Sequence, residues 1–293
     1  MNGAIVVDKP RDWTSHDVVN RMRRIAGTRK IGHLGTLDPS ATGVLPLLLN
    51  RATRLAQFFT RNDKVYEGVI RFGWSTNTYD ADGQPTSVQT EPALDRARLE
   101  ELFDGFRGLI LQTPPPVSAK KVAGRPAYEL ARKNIAFDLT PVEVVIRKLE
   151  LLWVEGPEVG LRVECGAGTY VRSIAHDAGH ALGCGAHLKS LLRLQSGQFT
   201  IDQARTLEQL AQLSAEGRLA EALIPAMQLL PDFPNEIVDQ LTEGQIRQGR
   251  DFRVSPFRVR DGGKHVKAVS RAGELIAIGE AVMPNVYHPI LVL

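Results

Sequence analysis

Residues 30–46, Lys-Ile-Gly-His-Leu-Gly-Thr-Leu-Asp-Pro-Ser-Ala-Thr-Gly-Val-Leu-Pro, concentrate one histidine, one aspartate, three hydroxyls and three glycines where a core segment would be apolar. Two carboxylates would suit glycoside hydrolysis, and a His, Asp and Ser set would suit acyl transfer. Asp38 is instead a solitary acid, held between Leu37 and Pro39. Asp followed by Pro also suits an ordinary helix start, and Ser40 and Thr42 are common turn formers. Gly43 and Pro46 leave little room for such a helix, whereas Gly32 and Gly35 permit close backbone approach. His33 taken alone is equally compatible with a turn histidine bonded to backbone.

Residues 32–45 resemble the catalytic loop of the TruB family, the tRNA pseudouridine-55 synthases. Four further blocks of that pattern follow in register: Asp8-Lys9-Pro10 with Thr14-Ser15; Lys64-Val65-Tyr66; Gln112-Thr113-Pro114-Pro115 with Ser118-Ala119-Lys120; and Gly168-Thr169-Tyr170-Val171-Arg172 with Leu182-Gly183-Cys184-Gly185-Ala186-His187. The resemblance spans residues 3–199. It implies an isomerase that detaches uracil from ribose, turns the base and rejoins it through C5, with no cofactor and no metal. A lone acid suits that reaction, and the resemblance assigns it to Asp38, with Arg172 as its guanidinium partner. Tyr66 corresponds to the ring that stacks on the flipped uracil, and Leu191 to the apolar lining of the base pocket. His33 corresponds to the loop histidine that enters the RNA, and Lys9, Lys64, Lys120 and Arg125 are candidates for phosphate or ribose contact. The implied partner is tRNA, through its T stem-loop. Asp12 stands where the family usually has Gly, Val117 where Tyr is common, and Ala167 where a larger residue is frequent.

Two other readings compete. Catalytic subunits of guide-RNA pseudouridylation complexes generally carry N-terminal extensions and lysine-rich tails, whereas here the first motif begins at Asp8 and the sequence stops at Leu293. Standalone action, with no obligate protein partner, is therefore expected. A non-catalytic tRNA-binding or tRNA-folding protein would not need Asp38, Tyr66 and Arg172 together.

The elements that must position these residues are legible in part. Residues 4–7 predict a buried strand, after which Thr14 or Ser15 caps a helix with Val18, Val19, Met22, Ile25 and Ala26 at helical spacing. In residues 65–72, alternation sets Tyr66, Gly68, Ile70 and Phe72 on one face of a strand. Residues 159–165 alternate likewise, then 166–168 turn into a helix with Val171, Ile174, Ala175, Ala178 and Leu182 inward. Residues 77–92 and 112–125 read as loops. A capping box at Thr206 to Gln209 opens a helix, and residues 224–235, with three prolines, read as a linker. Beyond it come a short helix near 240–244 and β-rich runs at 251–259, 264–270 and 274–282, expected as a small barrel. Irregularly interspersed strands and helices predict an α+β fold rather than a doubly wound sheet. The expected domains are 1–230, a mixed-sheet pseudouridine synthase domain, and 231–293, a PUA-like RNA-binding domain.

At 293 residues, 43% of them hydrophobic, the chain can bury its own core. Two cysteines exclude a disulfide scaffold and a four-cysteine zinc site, and suit a reducing compartment. Residues 1–10 lack a secretory pattern and no apolar run could span a bilayer, so a cytoplasmic protein away from membranes is expected. The net charge is only +3. Residues 9–30, however, hold Lys9, Arg11, Arg21, Arg23, Arg24, Arg29 and Lys30 against two acids, a cluster suited to a polyanion as well as to a solvated helix face.

Overall fold

The computed structural model describes residues 1–118, 120–122, 124–126, 137–255 and 263–293. In chain order its elements are β1 (Gly3–Lys9), α1 (Ser15–Ile25), β2 (Ile31–His33), β3 (Thr42–Leu49), a 3-10 segment (Asn50–Phe59), β4 (Lys64–Phe72), α2 (Arg96–Asp104) and β5 (Gly108–Gln112). There follow β6 (Lys121–Val122), β7 (Arg125–Pro126), β8 (Val142–Glu155), β9 (Glu158–Cys165), α3 (Val171–Ala181), β10 (Ala186–Ser196), β11 (Phe199–Thr200) and α4 (Leu207–Ala215). The last part comprises β12 (Ile224–Pro225), β13 (Asn235–Val238), α5 (Gln240–Arg247), β14 (Phe252–Arg253), β15 (His265–Ser270), β16 (Leu275–Met283) and β17 (Val286–Val292).

One mixed sheet dominates, in the order β12-β1-β3-β10-β4-β9-β8-β5, with β2 added to β3 and β11 to β10. The fold is α+β, as expected. β10 occupies the centre: it runs parallel to β3 at Leu192–Thr42 and Arg193–Gly43, and antiparallel to β4 along its length, with Arg193 opposite Tyr66. Beyond Gly43, β3 diverges to pair with β1 and β2, opening a fork in the sheet.

Helices cover the sheet where the sequence pattern requires it. Thr14 caps α1 with a reciprocal Thr14–Asp17 capping box, and Val18, Val19 and Met22 pack with Ile5, Val7, Leu45 and Leu47 of the sheet and Leu207 and Leu210 of α4. α3 buries Val171, Ile174, Ala175 and Ala178 against the Tyr66, Ile70 and Phe72 face of β4, which alternates as the sequence predicts.

The stretch expected to be a linker is not one. Ile224–Pro225 pairs with Gly3 and Ala4 at the start of β1, and Ala226, Leu229 and Leu230 are buried, so the prolines shape a strap that packs into the core. The loop expected over 112–125 contains the short β6–β7 pair, turned at Gly124 with φ +83°. The C-terminal part is a β unit, a five-stranded sheet ordered β13-β15-β16-β17-β14 with α5 against it. Strands at 235–238 and 286–292 were not anticipated, while the run at 251–259 is observed only as β14, residues 256–259 lying outside the described set.

Candidate active site

Asp38 sits on the loop from β2 to β3. Its carbonyl accepts from the Ala41 amide at 3.1 Å, so Asp38 and Pro39 open a turn and cap no helix. The loop is tied down from several sides. Ser15 Oγ accepts from the Leu37 amide (2.9 Å) and donates to the Leu37 carbonyl (3.2 Å), joining the loop to the start of α1. Asp12 adopts φ +64° and donates its amide to the Pro39 carbonyl at 2.9 Å. That left-handed backbone explains why glycine is the common residue there, and aspartate is among the few others that tolerate it.

Arg172 lies in the first turn of α3, after the glycine turn ending at Gly168 (φ +91°) and Thr169, whose hydroxyl donates to the Gly166 carbonyl. Gln112 fixes the entry: its side chain accepts from the Tyr170 amide (2.8 Å) and donates to the Tyr170 carbonyl (3.1 Å). Only 3% exposed, the guanidinium donates through Nη2 to Asp38 Oδ1 at 3.0 Å, and its Nε lies 2.9 Å from Oδ2. The Nε approach is off the N–H direction, so one true hydrogen bond and one ionic contact join the pair. Further donors go to the carbonyls of Thr78 and Val117, both at 3.0 Å. Position 117 thus acts through backbone, which accounts for valine serving there.

A second acid reaches the same guanidinium. Asp80 Oδ2 is 3.4 Å from Arg172 Nη1, and the Thr78 hydroxyl and Asp82 amide hold Asp80 Oδ1. Sequence reasoning missed Asp80, since it lies in the turn-rich 77–92 stretch where several polar residues look alike. Its consequence is electrostatic: burial above all, and then the negative charge of Asp80, push the Asp38 carboxyl above its ordinary value against the pull of Arg172. Asp38 keeps 38% of its side-chain surface open, toward the cavity beside it.

That cavity, about 260 Å³, is lined by Asp38, Lys64, Tyr66, Tyr170, Leu191 and Arg193, with Ala167 among the further wall residues. Tyr66 is 7% exposed, and burial raises its phenol above the usual value, so it stays protonated at neutral pH. Lys64 donates to the Asn62 carbonyl at 2.7 Å, and burial and then the charge of Arg193 lower its ammonium. The fold therefore gathers Asp38, Tyr66, Arg172, Lys64 and Leu191 around one cavity.

Other candidates lie elsewhere. Lys9 is fully buried, its ammonium donating to the carbonyls of Pro10 (2.8 Å), Trp13 (2.6 Å) and Pro39 (2.9 Å). It cannot meet a phosphate; it braces the Asp38 loop from behind. His33 is half-buried on β2, away from the cavity wall, and burial followed by the charges of Arg193 and His16 lowers its pKa. Lys120 is exposed outside the cavity, and the side chain of Arg125 lies outside the described residues. Arg193, the remaining cation of the wall, was not anticipated. It stands in a mixed strand that also holds His187, Lys189, Ser190 and Gln195, so nothing in the sequence set it apart.

Residues 23–171 match the TruB family pseudouridylate synthase N-terminal domain, and residues 172–231 match the tRNA pseudouridylate synthase B C-terminal domain. The cavity draws on both segments. A tRNA pseudouridine synthase B of Solibacter usitatus (strain Ellin6076) is 61% identical over 293 residues, covering 100% of each chain. Another, of Aquifex aeolicus (strain VF5), is 42% identical over 259 residues, covering 88% of this chain and 89% of its own. Among solved structures, a chain of an H/ACA RNP bound to a substrate RNA containing 2'-deoxyuridine superposes with a TM-score of 0.73 at 25% identity, over 99% of this chain and 84% of that one. An archaeal box H/ACA sRNP Nop10-Cbf5 complex gives 0.72 at 25%, over 99% and 86%.

Proposed function

Since the chain belongs to the TruB family of tRNA pseudouridine synthases and is an isomerase acting on tRNA, we propose that its target is the T-loop uridine (uridine-55) of elongator tRNAs, with Asp38, Tyr66 and Arg172 carrying the reaction. The bond from uracil N1 to ribose C1′ breaks, the base turns, and a bond from C5 to C1′ forms. A proton leaves C5 and one arrives at N1, so atoms and electrons balance without a cofactor.

The observation that carries this reading is the Asp38–Arg172 contact at the edge of a cavity walled by Tyr66 and Leu191. Asp38 supplies the carboxylate that promotes cleavage of the glycosidic bond, and Arg172 aims it and offsets the cost of keeping it charged in a site that excludes water. The Tyr66 ring stacks on the everted uracil and its hydroxyl takes part in moving the C5 proton, while Leu191 closes the apolar side. Eversion costs a few kcal/mol, and His33, at the root of the loop, fills the vacated stack. Lys64 at the cavity, with Lys120 and Arg125 on the 112–126 loop, meets RNA phosphate or ribose. Residues 231–293 form a PUA-like unit that binds RNA beyond the target, and the enzyme works in the cytoplasm without a guide RNA or partner protein. The 61% full-length identity to a tRNA enzyme, against 25% to guide-RNA complex subunits, favours the tRNA reading.

Incubating the protein with an unmodified tRNA transcript and mapping by carbodiimide-dependent primer extension tests reaction and position together. We expect one new stop, in the T loop, and with Asp38→Ala no stop but tRNA affinity within about threefold of the parent. An Asp38→Ala protein with parental conversion would remove Asp38 from the chemistry.

A further inference from the structure

Arg193 is the largest fully buried side chain among the described residues, and no carboxylate lies within ion-pair distance of it among them. Its position is the fork of the sheet, opposite Gly43 of β3 on one side and Tyr66 of β4 on the other. The guanidinium ends on the loop that carries Asp38. Nη2 donates to the Gly35 carbonyl (3.1 Å), Nη1 to the Thr36 carbonyl (3.3 Å) and Nε to the Val44 carbonyl (2.7 Å). Gly35 and Thr36 belong to the outgoing limb of the loop and Val44 to the start of β3, which forms its returning limb, so one planar group ties both limbs to β10, next to Leu191. A buried cation without a counter-charge is an expensive way to satisfy three carbonyls, and simple packing would favour an apolar residue.

We propose that Arg193 is a positioning residue for the isomerisation: it fixes the two limbs of the Asp38 loop against β10 and holds positive charge beside Tyr66. Three of the five N–H groups serve the loop, and the fork geometry that reaches two limbs at once is one a lysine cannot reproduce. The same charge acts on its neighbours, opposing the rise in the Tyr66 phenol and lowering Lys64 and His33. The cation thus favours a transient negative charge on the Tyr66 oxygen as the C5 proton moves.

This inference rests on the proposed pseudouridine synthesis, and its test separates the two. Full-length Arg193→Lys and Arg193→Met proteins are assayed on unmodified tRNA transcript under single turnover with enzyme in excess, alongside tRNA affinity, thermal melting and the pH dependence of the rate. We expect folded Arg193→Lys to bind tRNA within about threefold of the parent and to convert it at least tenfold more slowly, with Arg193→Met slower still. Gly35→Ala attacks the same tie from the loop side, since Gly35 has φ +101° but ordinary space for a Cβ, 3.7 Å from Arg193 Nη1. It should fold and show the same split, which keeps the test decisive where an Arg193 variant fails to fold. Parental rates in a folded Arg193 variant, or losses confined to affinity or melting temperature, would overturn the role while leaving the function standing. An inactive parent would remove the function and this role with it.

Discussion

The ammonium of Lys9 shows how much a single buried group can set. Three carbonyls consume its three N–H donors, and the third, Pro39, follows Asp38 directly in the chain. Burial pulls Lys9 down to about 8, in spite of the raising effect of Asp38 and Asp12. Near neutrality it is still charged and the cage is complete. As pH climbs through about 8 the proton is lost, a neutral amine can donate only two bonds, and the brace behind the loop loosens. Asp38 works in the opposite direction. In the proposed reaction it acts ionised, and its pKa lies above the ordinary carboxylate value, so the rate should rise with pH until that raised value has been passed. Single-turnover conversion should therefore follow a bell, with an alkaline limb near pH 8 that belongs to Lys9. In Lys9→Met the rate should drop about tenfold, roughly 1.4 kcal/mol of transition-state positioning, and the alkaline limb should vanish. A limb unmoved by that substitution would belong to another group.

At the scale of elements, the decisive contact is the crossing of β3 and β10. A Cβ on Gly43 would lie 2.4 Å from the Arg193 carbonyl oxygen and 2.8 Å from Leu192 Cδ1, with φ at +97°. Backbone cannot give way there. Gly43→Ala should cost about 2–4 kcal/mol in urea unfolding and lose conversion, because parting the strands separates Asp38 from Leu191 and Arg193. Gly32 belongs to the same motif and reads as another close approach, yet nothing lies within 4 Å of its Cβ position. Gly32→Ala should keep stability within about 1 kcal/mol, and an equal loss at both positions would refute the distinction. Elements with a clean period were legible: α1, α3 and the Tyr66 face of β4 lie where spacing puts them. β3 was not, since a strand buried on both faces shows a continuous apolar run without alternation. The strap at 224–230 was misread because prolines report chain direction and not burial. In the site, Asp38, Tyr66 and Arg172 stand in recognisable blocks, whereas Arg193 and its partner Gly35 are 158 residues apart and meet only through the sheet.

For the whole molecule, the question is whether the C-terminal β unit is an appendage or part of the catalytic body. Val269, Leu275, Ile278 and Leu291 of that unit share one core with Ala4, Val6, Val44, Leu48, Leu55 and Phe59. Lys267 is buried at the junction and donates to the carbonyls of Met227 (3.0 Å) and Leu229 (2.8 Å), while Phe233 meets Phe58 edge-on at 5.6 Å and stacks on His265 at 4.9 Å. An apolar interface continuous with the core behaves as core, unlike the polar contacts that let domains move independently. The two parts are thus held in one frame, and damage on one side should be felt on the other. Trp13, Trp74 and Trp153 all lie before residue 231, so tryptophan fluorescence reports only the catalytic part. Ile278→Ala empties a fully buried site in the C-terminal unit and should cost about 3 kcal/mol. If the two parts unfold as one, the fluorescence-detected transition of Ile278→Ala should fall by roughly 6–12 °C and coincide with the one seen by far-ultraviolet circular dichroism. A fluorescence transition that stays at the parental temperature while circular dichroism shows an earlier step would mean that the β unit melts alone, and that the shared apolar cluster does not couple it to the catalytic sheet.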